Sequence, residues 1–370
     1  MTSELSSLCS YAKGKVSVDT LSKRNYISTE NMVPNKGGIV DAGALPSAQY
    51  TQQYIKDDIL VSNIRPYFKK IWMADDDGGC SNDVLVFRAE CGCDSTFLYY
   101  VLANDAFFNY ASATSKGTKM PRGDKTAIMQ YEVPCFNHET QLRIGKLLRS
   151  IDDRITVNKK INDNLLQQLQ AIYQQIFDSA SRNDGVLSDI CSYSQRRVAV
   201  ASLTLESYYS TENMLPEKAG AVSASSLPTI VQTTGCAPGD VLISNIRPYF
   251  KKIVYCRSEC GCSTDVLCFV PMEPCLSPFL FSTLYDDRFF DYMVAGSKGT
   301  KMPRGDKQQI MAYPVVKPSN TQLERFNALG EPILAKIESS NQENKRLSAI
   351  RDALLPKLMS GEIDVSSITL

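Results

Sequence analysis

Two short segments of the chain concentrate side chains that can contact nucleic acid. The arginine segment, residues 62–71, offers an amide and a guanidinium for base edges, aromatic rings for stacking, and ammonium groups for phosphates. The lysine segment, residues 115–125, places four cations beside two glycines, which let a backbone approach a phosphate closely. The candidate contact residues are Asn63, Arg65, Tyr67, Lys69, Lys70, Lys116, Lys119, Arg122 and Lys125.

Each segment occurs twice in the chain. Residues 62–71 recur letter for letter as residues 244–253, and residues 115–125 recur as residues 297–307, with an offset of 182 in both cases. Repeats of this length exceed the units of a solenoid and predict two whole domains with their connectors. We call the half with residues 62–71 the first copy and the other half the second copy. The second copy supplies the candidates Asn245, Arg247, Tyr249, Lys251, Lys252, Lys298, Lys301, Arg304 and Lys307.

Each segment also has a purely structural interpretation. In the arginine segment, Ile64, Tyr67 and Phe68 could form the core of a strand and turn whose lysines are a solvated edge, and duplication alone would preserve that scaffold. The lysine segment lacks the G-x-x-x-x-G-K-[ST] spacing of a phosphate-binding loop. Four cations beside flexible glycines nevertheless have little packing rationale. Both interpretations stay open at the level of sequence.

The elements that must position these segments are strand-rich. Short apolar runs such as residues 59–61 and 84–87 are rich in β-branched and aromatic residues and are broken by Gly, Pro, Asn and Asp. Apolar residues at helical spacing predict one helix at about residues 95–110. Each globular part is therefore predicted to be α+β.

A seven-residue apolar period follows each globular part and predicts long helices, the first at about residues 139–177. In both predicted helices, polar residues interrupt the apolar face at matching positions. This favours pairing of the two helices in a fixed register over packing of each helix on its own domain. A two-fold axis between the copies would make the pair antiparallel. The predicted pairing residues are Ile151, Ile155, Asn158, Asn162, Leu165, Leu169, Ile333, Ile337, Asn344, Leu347, Leu354 and Leu358.

These patterns together predict an α+β fold with pseudo-two-fold symmetry. Two similar globular domains occupy residues 1–137 and 181–318, and two long antiparallel helices that form a coiled coil occupy residues 138–180 and 319–370.

Bulk composition excludes several classes of protein. The chain has 370 residues, of which 43% are hydrophobic and 22% charged, so disordered and fibrous proteins are excluded. The start Met1-Thr2-Ser3-Glu4 does not resemble a signal peptide, and no apolar run approaches the roughly 18 residues of a membrane span. We therefore expect a cytoplasmic protein whose twelve cysteines are reduced thiols. Its 40 basic and 40 acidic residues cancel, so a nucleic-acid surface would have to arise from local segregation of charge.

Patterns that would indicate an enzyme are weak. His138 is the single histidine, so a histidine-dependent triad could occur once at most, and a place at the start of a helix fits it better. The Cys-x-Cys pairs at residues 91–93 and 260–262 fall at different places in the two copies and lack zinc-ribbon spacing, so no metal site is predicted. No glycine-rich methionine-cofactor loop and no Asn-Pro-Pro-Tyr type motif is present. We expect no catalytic site in this chain.

Two helical motifs carry a family resemblance. Residues 151–155, Ile-Asp-Asp-Arg-Ile, run into residues 158–162, Asn-Lys-Lys-Ile-Asn, and residues 354–363 read Leu-Leu-Pro-Lys-Leu-Met-Ser-Gly-Glu-Ile. Both resemble the conserved helical regions of the specificity subunit of type I restriction-modification systems, and the resemblance extends over essentially the whole chain. It implies a non-catalytic subunit that reads double-stranded DNA through two target-recognition domains. It also implies two adenine-methylating partner subunits that bind S-adenosylmethionine, with no cofactor in this chain, and motor-nuclease subunits that can join them.

The closeness of the two copies suggests the kind of target. Two like readers related by a two-fold axis should recognise like half-sites in inverted orientation, because duplex DNA shares that symmetry. We therefore expect a bipartite, near-palindromic target. The alternatives are a two-domain adaptor whose helices mediate only protein contacts and a self-contained enzyme, and neither would show the steep salt dependence of a phosphate-binding reader.

Overall fold

The computed structural model describes residues 2–178 and 184–366. It divides into two compact units, the first unit comprising Met1–Val157 with Glu343–Leu370 and the second unit comprising Asn158–Gln342. Each long helix therefore contributes residues to both units. The predicted boundary between residues 180 and 181 lies outside the described residues, and the four predicted domain ranges stay a prediction.

The first unit is built on two four-stranded sheets and a small two-stranded one. Its strands are β1 (Thr2–Glu4), β2 (Cys9–Tyr11), β3 (Lys15–Ser17), β4 (Tyr26–Ile27), β5 (Tyr50–Tyr54), β6 (Ile59–Ser62), β7 (Ile71–Met73), β8 (Gly78–Cys80), β9 (Val84–Ala89) and β10 (Glu132–Pro134). The sheet orders are β2-β9-β6-β7, β3-β5-β8-β4 and β1-β10, and among the described strands of this unit only the β4–β8 pairing is parallel.

Alternation along β6 shows how the sheets are buried. Ile59 and Val61 belong to the core shared with the helices, whereas Leu60 belongs to a second core with Tyr54 and Cys80 of the other sheet. Successive side chains of a strand point to opposite faces, so this sheet is covered on both sides. The loops that leave β6 and enter β7 are thereby anchored on a rigid layer.

The helices of the first unit depart from the sequence prediction at one place. They are α1 (Ser95–Ala103), α2 (Asp105–Ala113), α3 (Lys125–Met129) and the long α4 (His138–Tyr173). The single helix predicted at residues 95–110 is wrong, because Asn104 has an extended backbone and its side chain accepts a hydrogen bond from the Ala106 amide, which caps α2. His138 begins α4, as predicted.

The second unit repeats this architecture element by element. Its strands are β11 (Gly185–Val186), β12 (Cys191–Tyr193), β13 (Arg197–Ala199), β14 (Tyr208–Tyr209), β15 (Gln232–Cys236), β16 (Val241–Ser244), β17 (Ile253–Tyr255), β18 (Cys260–Cys262), β19 (Val266–Pro271) and β20 (Pro314–Val315). Its helices are α5 (Ser277–Tyr285), α6 (Asp287–Ala295), α7 (Lys307–Met311) and α8 (Asn320–Ser360). The sheet orders are β12-β19-β16-β17, β13-β15-β18-β14 and β11-β20.

Within the first unit, α4 and α8 run antiparallel. The Asp152 carboxylate accepts a hydrogen bond from Arg351 at 2.7 Å, and further along α4 the Arg154 guanidinium lies 3.0 Å from Glu343, earlier in α8. Leu358 of α8 is fully buried in the core of this unit. The C-terminal part of α8 is therefore held against the first copy, not the second.

Within the second unit, the remaining halves of α4 and α8 are also antiparallel. The Asn162 side-chain amide donates to the Asn341 side chain at 2.9 Å, and the Gln322 side chain donates to the Ile176 carbonyl at 3.2 Å. All twelve predicted pairing residues are buried or half-buried. Burial alone does not separate pairing from packing on a domain, so their individual roles stay a prediction. No helix among the described residues is long and apolar enough to cross a membrane.

One polar network distinguishes the first unit from its repeat. Asp152 accepts hydrogen bonds from the Tyr100 hydroxyl at 2.6 Å and from Arg351 at 2.7 Å. The offset of 182 converts Tyr100 and Asp152 to Ser282 and Leu334 and takes Arg351 back to Leu169. In the second unit, Leu169 and Leu334 are both buried in the main core. The same place in the fold is therefore filled by charges in one unit and by leucines in the other.

Candidate nucleic-acid interface

The structure joins the two duplicated segments, which lie about fifty residues apart in sequence. The Arg65 amide donates to the Pro121 carbonyl at 2.8 Å, and the Gly123 amide donates to the Asn63 carbonyl at 3.1 Å. The lysine segment folds back on itself through two hydrogen bonds between Lys116 and Arg122, at 2.8 and 2.9 Å. The two segments therefore form one surface feature, which we call the contact loop pair.

The second copy forms the same contact loop pair. The Arg247 amide donates to the Pro303 carbonyl at 2.8 Å, the Gly305 amide donates to the Asn245 carbonyl at 3.2 Å, and Lys298 and Arg304 exchange two hydrogen bonds at 2.9 Å. The two contact loop pairs therefore share their backbone hydrogen bonds as well as their sequence.

The backbone of the arginine segment is strained at two non-glycine residues. Arg65 and Lys69, which flank the short helical turn Pro66–Phe68, both have φ of 51°. Arg247 and Lys251 repeat this with φ of 51° and 50°. A left-handed conformation costs a non-glycine residue roughly 1–2 kcal/mol, and such strain clusters at functional sites. The turn lifts Tyr67 and Tyr249 into solvent, where they are 51% and 47% exposed.

Several of the predicted cations are ion-paired. Lys116 lies 2.5 Å from Asp124 and Arg122 lies 2.9 Å from Asp83, while Lys69 lies 2.9 Å from Asp105. The second copy repeats each pair, with Lys298–Asp306 at 2.6 Å, Arg304–Asp265 at 3.0 Å and Lys251–Asp287 at 2.9 Å. Their lysine hydrogen bonds hold the pKa of Asp124 and of Asp306 below the ordinary range. Three cations of each contact loop pair therefore lie against carboxylates.

Two predicted phosphate contacts point into the protein. The Lys70 ammonium donates to the Thr29 carbonyl at 2.6 Å and lies 5.9 Å from the Phe68 ring centre, and burial lowers its pKa. Lys252 likewise donates to the Thr211 carbonyl at 2.5 Å, and burial lowers its pKa too. These lysines tie the arginine segment to a neighbouring loop.

Other candidates are exposed without an acidic partner. Lys119 and Lys301 form no ion pair among the described residues and lie at the exposed end of the lysine segment. Lys125 and Lys307 are exposed too, each about 6 Å above a tyrosine ring, at 5.9 and 5.8 Å. These four ammonium groups can meet a phosphate without breaking an ion pair.

The two residues best suited to base edges carry unpaired buried atoms. Asn63 is 8% exposed, and its side-chain oxygen has no hydrogen-bond partner among the described residues; the same is true of the Arg65 Nε atom. Asn245 Oδ1 and Arg247 Nε repeat this pattern. Buried polar atoms without partners are uncommon in folded proteins, and these occur at matching places in both copies.

Sequence reasoning missed a third segment at this surface. The Asn35 and Lys36 amides donate to the Phe68 and Lys69 carbonyls at 2.8 Å, and the Lys36 ammonium lies 2.8 Å from Asp105. Both residues have positive φ, as do Glu217 and Lys218 in the second copy. The repeat of residues 28–32 at 210–214, immediately before this segment, was the available signal.

Among the described residues, no group of three or more His, Cys, Asp or Glu side chains is arranged to hold a metal ion.

Comparison with known proteins shows what this chain is similar to. A family model described as the type I restriction modification DNA specificity domain matches residues 1–167, which contain the first contact loop pair. The MjaIX type I restriction enzyme specificity subunit of Methanocaldococcus jannaschii is 23% identical over 311 residues, 75% of this chain and 71% of the relative. Residues 1–167 thus match the type I restriction modification DNA specificity domain, and the resemblance predicted from the helical motifs is confirmed.

Two further proteins, one compared by sequence and one by structure, are similar to this chain. The EcoDI specificity subunit of Escherichia coli is 27% identical over 136 residues, which is 36% of this chain and 29% of the relative. The crystal structure of the S subunit of a type I restriction-modification system from M. genitalium superimposes with a TM-score of 0.56 at 17% identity, over 97% of this chain and 96% of that one. The predicted specificity-subunit fold, α+β with long paired helices, is confirmed. The chain is thus a DNA specificity component of a restriction-modification complex.

Proposed function

We propose that the two contact loop pairs read like half-sites, in inverted orientation, within one double-stranded target. The observation that carries this proposal is the identity of the two sites in sequence, backbone hydrogen bonding, left-handed arginines and acidic partners. Two like readers match the two-fold symmetry of duplex DNA. Residues 1–137 and 181–318 would then be the target-recognition domains, with residues 138–180 and 319–370 as the helical connectors.

Within each site we assign base reading to the asparagine and arginine of the arginine segment. Asn63 Oδ1 is buried without a partner, which costs roughly 1–3 kcal/mol, and we assign to this side chain a rotation that brings it to a donor on a base edge. The Arg65 guanidinium has N–H donors available for guanine or phosphate oxygens, and the neighbouring Tyr67 ring is exposed and can stack on a base. Asn245, Arg247 and Tyr249 would do the same at the other half-site.

The arginine and lysine segments together supply phosphate contacts of two kinds. Lys119 and Lys125 bind phosphates directly, whereas Lys69, Lys116 and Arg122 exchange a carboxylate for a phosphate. An exposed ion pair stabilises by only about 0–1 kcal/mol, so the exchange costs little. Lys70 acts indirectly, by fixing the turn.

The helices would serve the rest of the complex. We assign them the binding of two methyltransferase subunits, which bring S-adenosylmethionine and transfer methyl groups to adenine, and of motor-nuclease subunits. This chain itself would be non-catalytic and would act in the cytoplasm. The adaptor alternative without DNA reading has no observation in its favour.

A genome-wide map of methylated adenines tests the target. Cells with this subunit and its methylating partner are compared with cells that lack only this subunit. An inverted, interrupted motif that disappears with the subunit is the expected result. An interrupted motif with dissimilar halves would refute the like half-sites, and an unchanged methylome in an active system would refute DNA reading.

A pair of matched variants tests the residue assignment. Arg65→Ala should relax the motif in one half-site only, and Arg247→Ala should relax it in the other, with a loss of roughly 1–3 kcal/mol of discrimination in each case. Each variant is the control for the other. Retention of both half-sites in both variants would exclude base reading by these arginines.

A further inference from the structure

The second unit contains a buried cluster of five thiols that its repeat does not share. The cluster fills the space between the two large sheets of the unit, and its members are between 0% and 4% exposed. It comprises Cys236, Cys256, Cys260, Cys262 and Cys268. In the first copy only one of these positions is a cysteine, the others being Tyr54, Ala74, Gly78 and Val86, with Cys80 retained.

The first copy shows what this space needs for packing alone. The Tyr54 ring extends over Gly78, where an added Cβ would lie only 2.3 Å from the tyrosine hydroxyl oxygen. In the second copy, Cys236 and Cys260 together occupy the space of that tyrosine and glycine. A volume-conserving exchange explains small side chains here, but it does not require thiols.

Four of the thiols form two close pairs, Cys236 with Cys262 and Cys256 with Cys260, and the second pair lies at a surface turn. The sulfur atoms of Cys256 and Cys260 lie 3.6 Å apart at the ends of a turn whose central residues, Ser258 and Glu259, are exposed. Cys256 follows β17 and Cys260 opens β18, so the pair closes a short loop at the protein surface. Both cysteines are 3% exposed, so a peroxide reaches the sulfurs only when this turn moves.

The environment of this pair gives the two sulfurs different acidities. Hydrogen bonds with the thiols of Cys236 and Cys256, together with the nearby Arg196 guanidinium, lower the pKa of Cys260. Hydrogen bonds with Cys236 and Cys260, together with burial, raise the pKa of Cys256. The thiolate is the nucleophilic form of cysteine, so Cys260 is the sulfur that attacks first.

We propose that Cys256 and Cys260 are a redox modification site, which a hydroperoxide converts to an intramolecular disulfide. The Cys260 thiolate attacks one peroxide oxygen, the O–O bond breaks, and a sulfenic acid forms as hydroxide leaves. The Cys256 sulfur then attacks the sulfenic sulfur, the S–O bond breaks, and the disulfide forms. Overall two thiols and one hydrogen peroxide give one disulfide and two waters. The proposal concerns a site of its own and does not depend on the half-sites read.

Peptide mapping of the intact chain tests this pairing. The purified full-length protein is treated with hydrogen peroxide in its folded state, alkylated with N-ethylmaleimide during denaturation, and digested with trypsin without reduction. Cleavage after Arg257 separates the two cysteines, so the disulfide would join residues 253–257 to residues 258–288. Cys256 is the single cysteine of the shorter peptide, which makes the assignment of that end unambiguous.

Matched variants identify the partner. Cys256→Ala and Cys268→Val each install the first-copy residue, so both suit the fold. We expect the linked peptide in the wild type and in Cys268→Val, and its complete loss in Cys256→Ala and in Cys260→Ser. The proposal is overturned if both peptides are recovered only as alkylated monomers, or if residues 253–257 are joined to the peptide that contains Cys236. Elemental analysis is run in parallel, and one zinc per chain that blocks the oxidation would also overturn it.

Discussion

The network of Tyr100, Asp152 and Arg351 should make the first unit sensitive to single substitutions. Asp152→Leu leaves the Tyr100 hydroxyl without its acceptor, in a residue that is 2% exposed, and leaves Arg351 with Asp352 as its acidic contact. Removal of one partner of a buried pair costs about 3–5 kcal/mol. Because Asp152 and Arg351 are 26% and 25% exposed, solvent offsets part of this, and we expect a loss of about 2–4 kcal/mol.

The second unit shows how the loss can be reversed. Leucines occupy both charged positions there, at Leu169 and Leu334. The triple variant Tyr100→Phe, Asp152→Leu, Arg351→Leu removes every orphaned polar group and replaces the pair with apolar contacts. Such replacements are often neutral or stabilising, so the triple variant should lie within about 1.5 kcal/mol of the wild type.

Urea unfolding of the full chain measures these differences. Trp72, in the first unit, is the single tryptophan of the chain, so its fluorescence follows the unit that carries the network. Glu343→Gln, which breaks the exposed pair with Arg154, is the control and should shift the free energy of unfolding by less than about 1 kcal/mol. The reasoning is refuted if Asp152→Leu unfolds at the wild-type urea concentration, or if the triple variant is no more stable than Asp152→Leu.

Three further predictions concern the charged surface. Lys119→Ala should reduce the slope of log affinity against log salt by about 0.9, the share of one phosphate contact, in titrations of the complex assembled with its methylating partner; an unchanged slope would remove Lys119 from the interface. Asp83→Asn should free Arg122 and raise affinity equally for target and scrambled duplexes, whereas a gain on the target alone would contradict a phosphate role. Two lysine partners, one of them Lys251, lower the pKa of Asp287, so its folded value lies below the unfolded value of about 4. The contribution of Asp287 to the free energy of unfolding is complete above that pH and is lost as pH falls through the folded pKa. The unfolding midpoints of Asp287→Asn and the wild type should therefore agree in acid and differ increasingly toward neutral pH.

Patterns local in sequence were the predictable part of this structure. The seven-residue apolar periods predicted both long helices, because residues at that spacing lie on one face of a helix. The end of α1 at Asn104 was not predicted, because the apolar spacing continues across it. The extended backbone there depends on a single capping side chain. The left-handed backbone conformation of Arg65 was not predicted either, since arginine has no intrinsic preference for it and only the surrounding structure imposes it.

The candidate site was predictable as a set of residues but not as an arrangement. Duplication identified both segments, yet nothing in their letters indicates that Arg65 and Pro121 share a hydrogen bond. The acidic partners Asp83 and Asp105 were not predicted, because ion pairs between distant segments depend on tertiary contacts. They pair with Arg122 and Lys69, two of the cations that we assign to phosphate contacts, and so neutralise part of the proposed contact surface.

The charged pair of Asp152 and Arg351 also determines which helices pair, in a chain whose two long helices resemble each other. In the repeat, Arg351 corresponds to Leu169 and Asp152 corresponds to Leu334. If a first copy paired with another first copy, the same register would set Asp152 against Leu169, and two second copies would set Arg351 against Leu334. Either dimer would place a half-buried charge at each end without the partner on the facing helix, and only the helices of the intact chain supply both partners. A single asymmetric contact thus favours one chain folding on itself over two chains sharing halves.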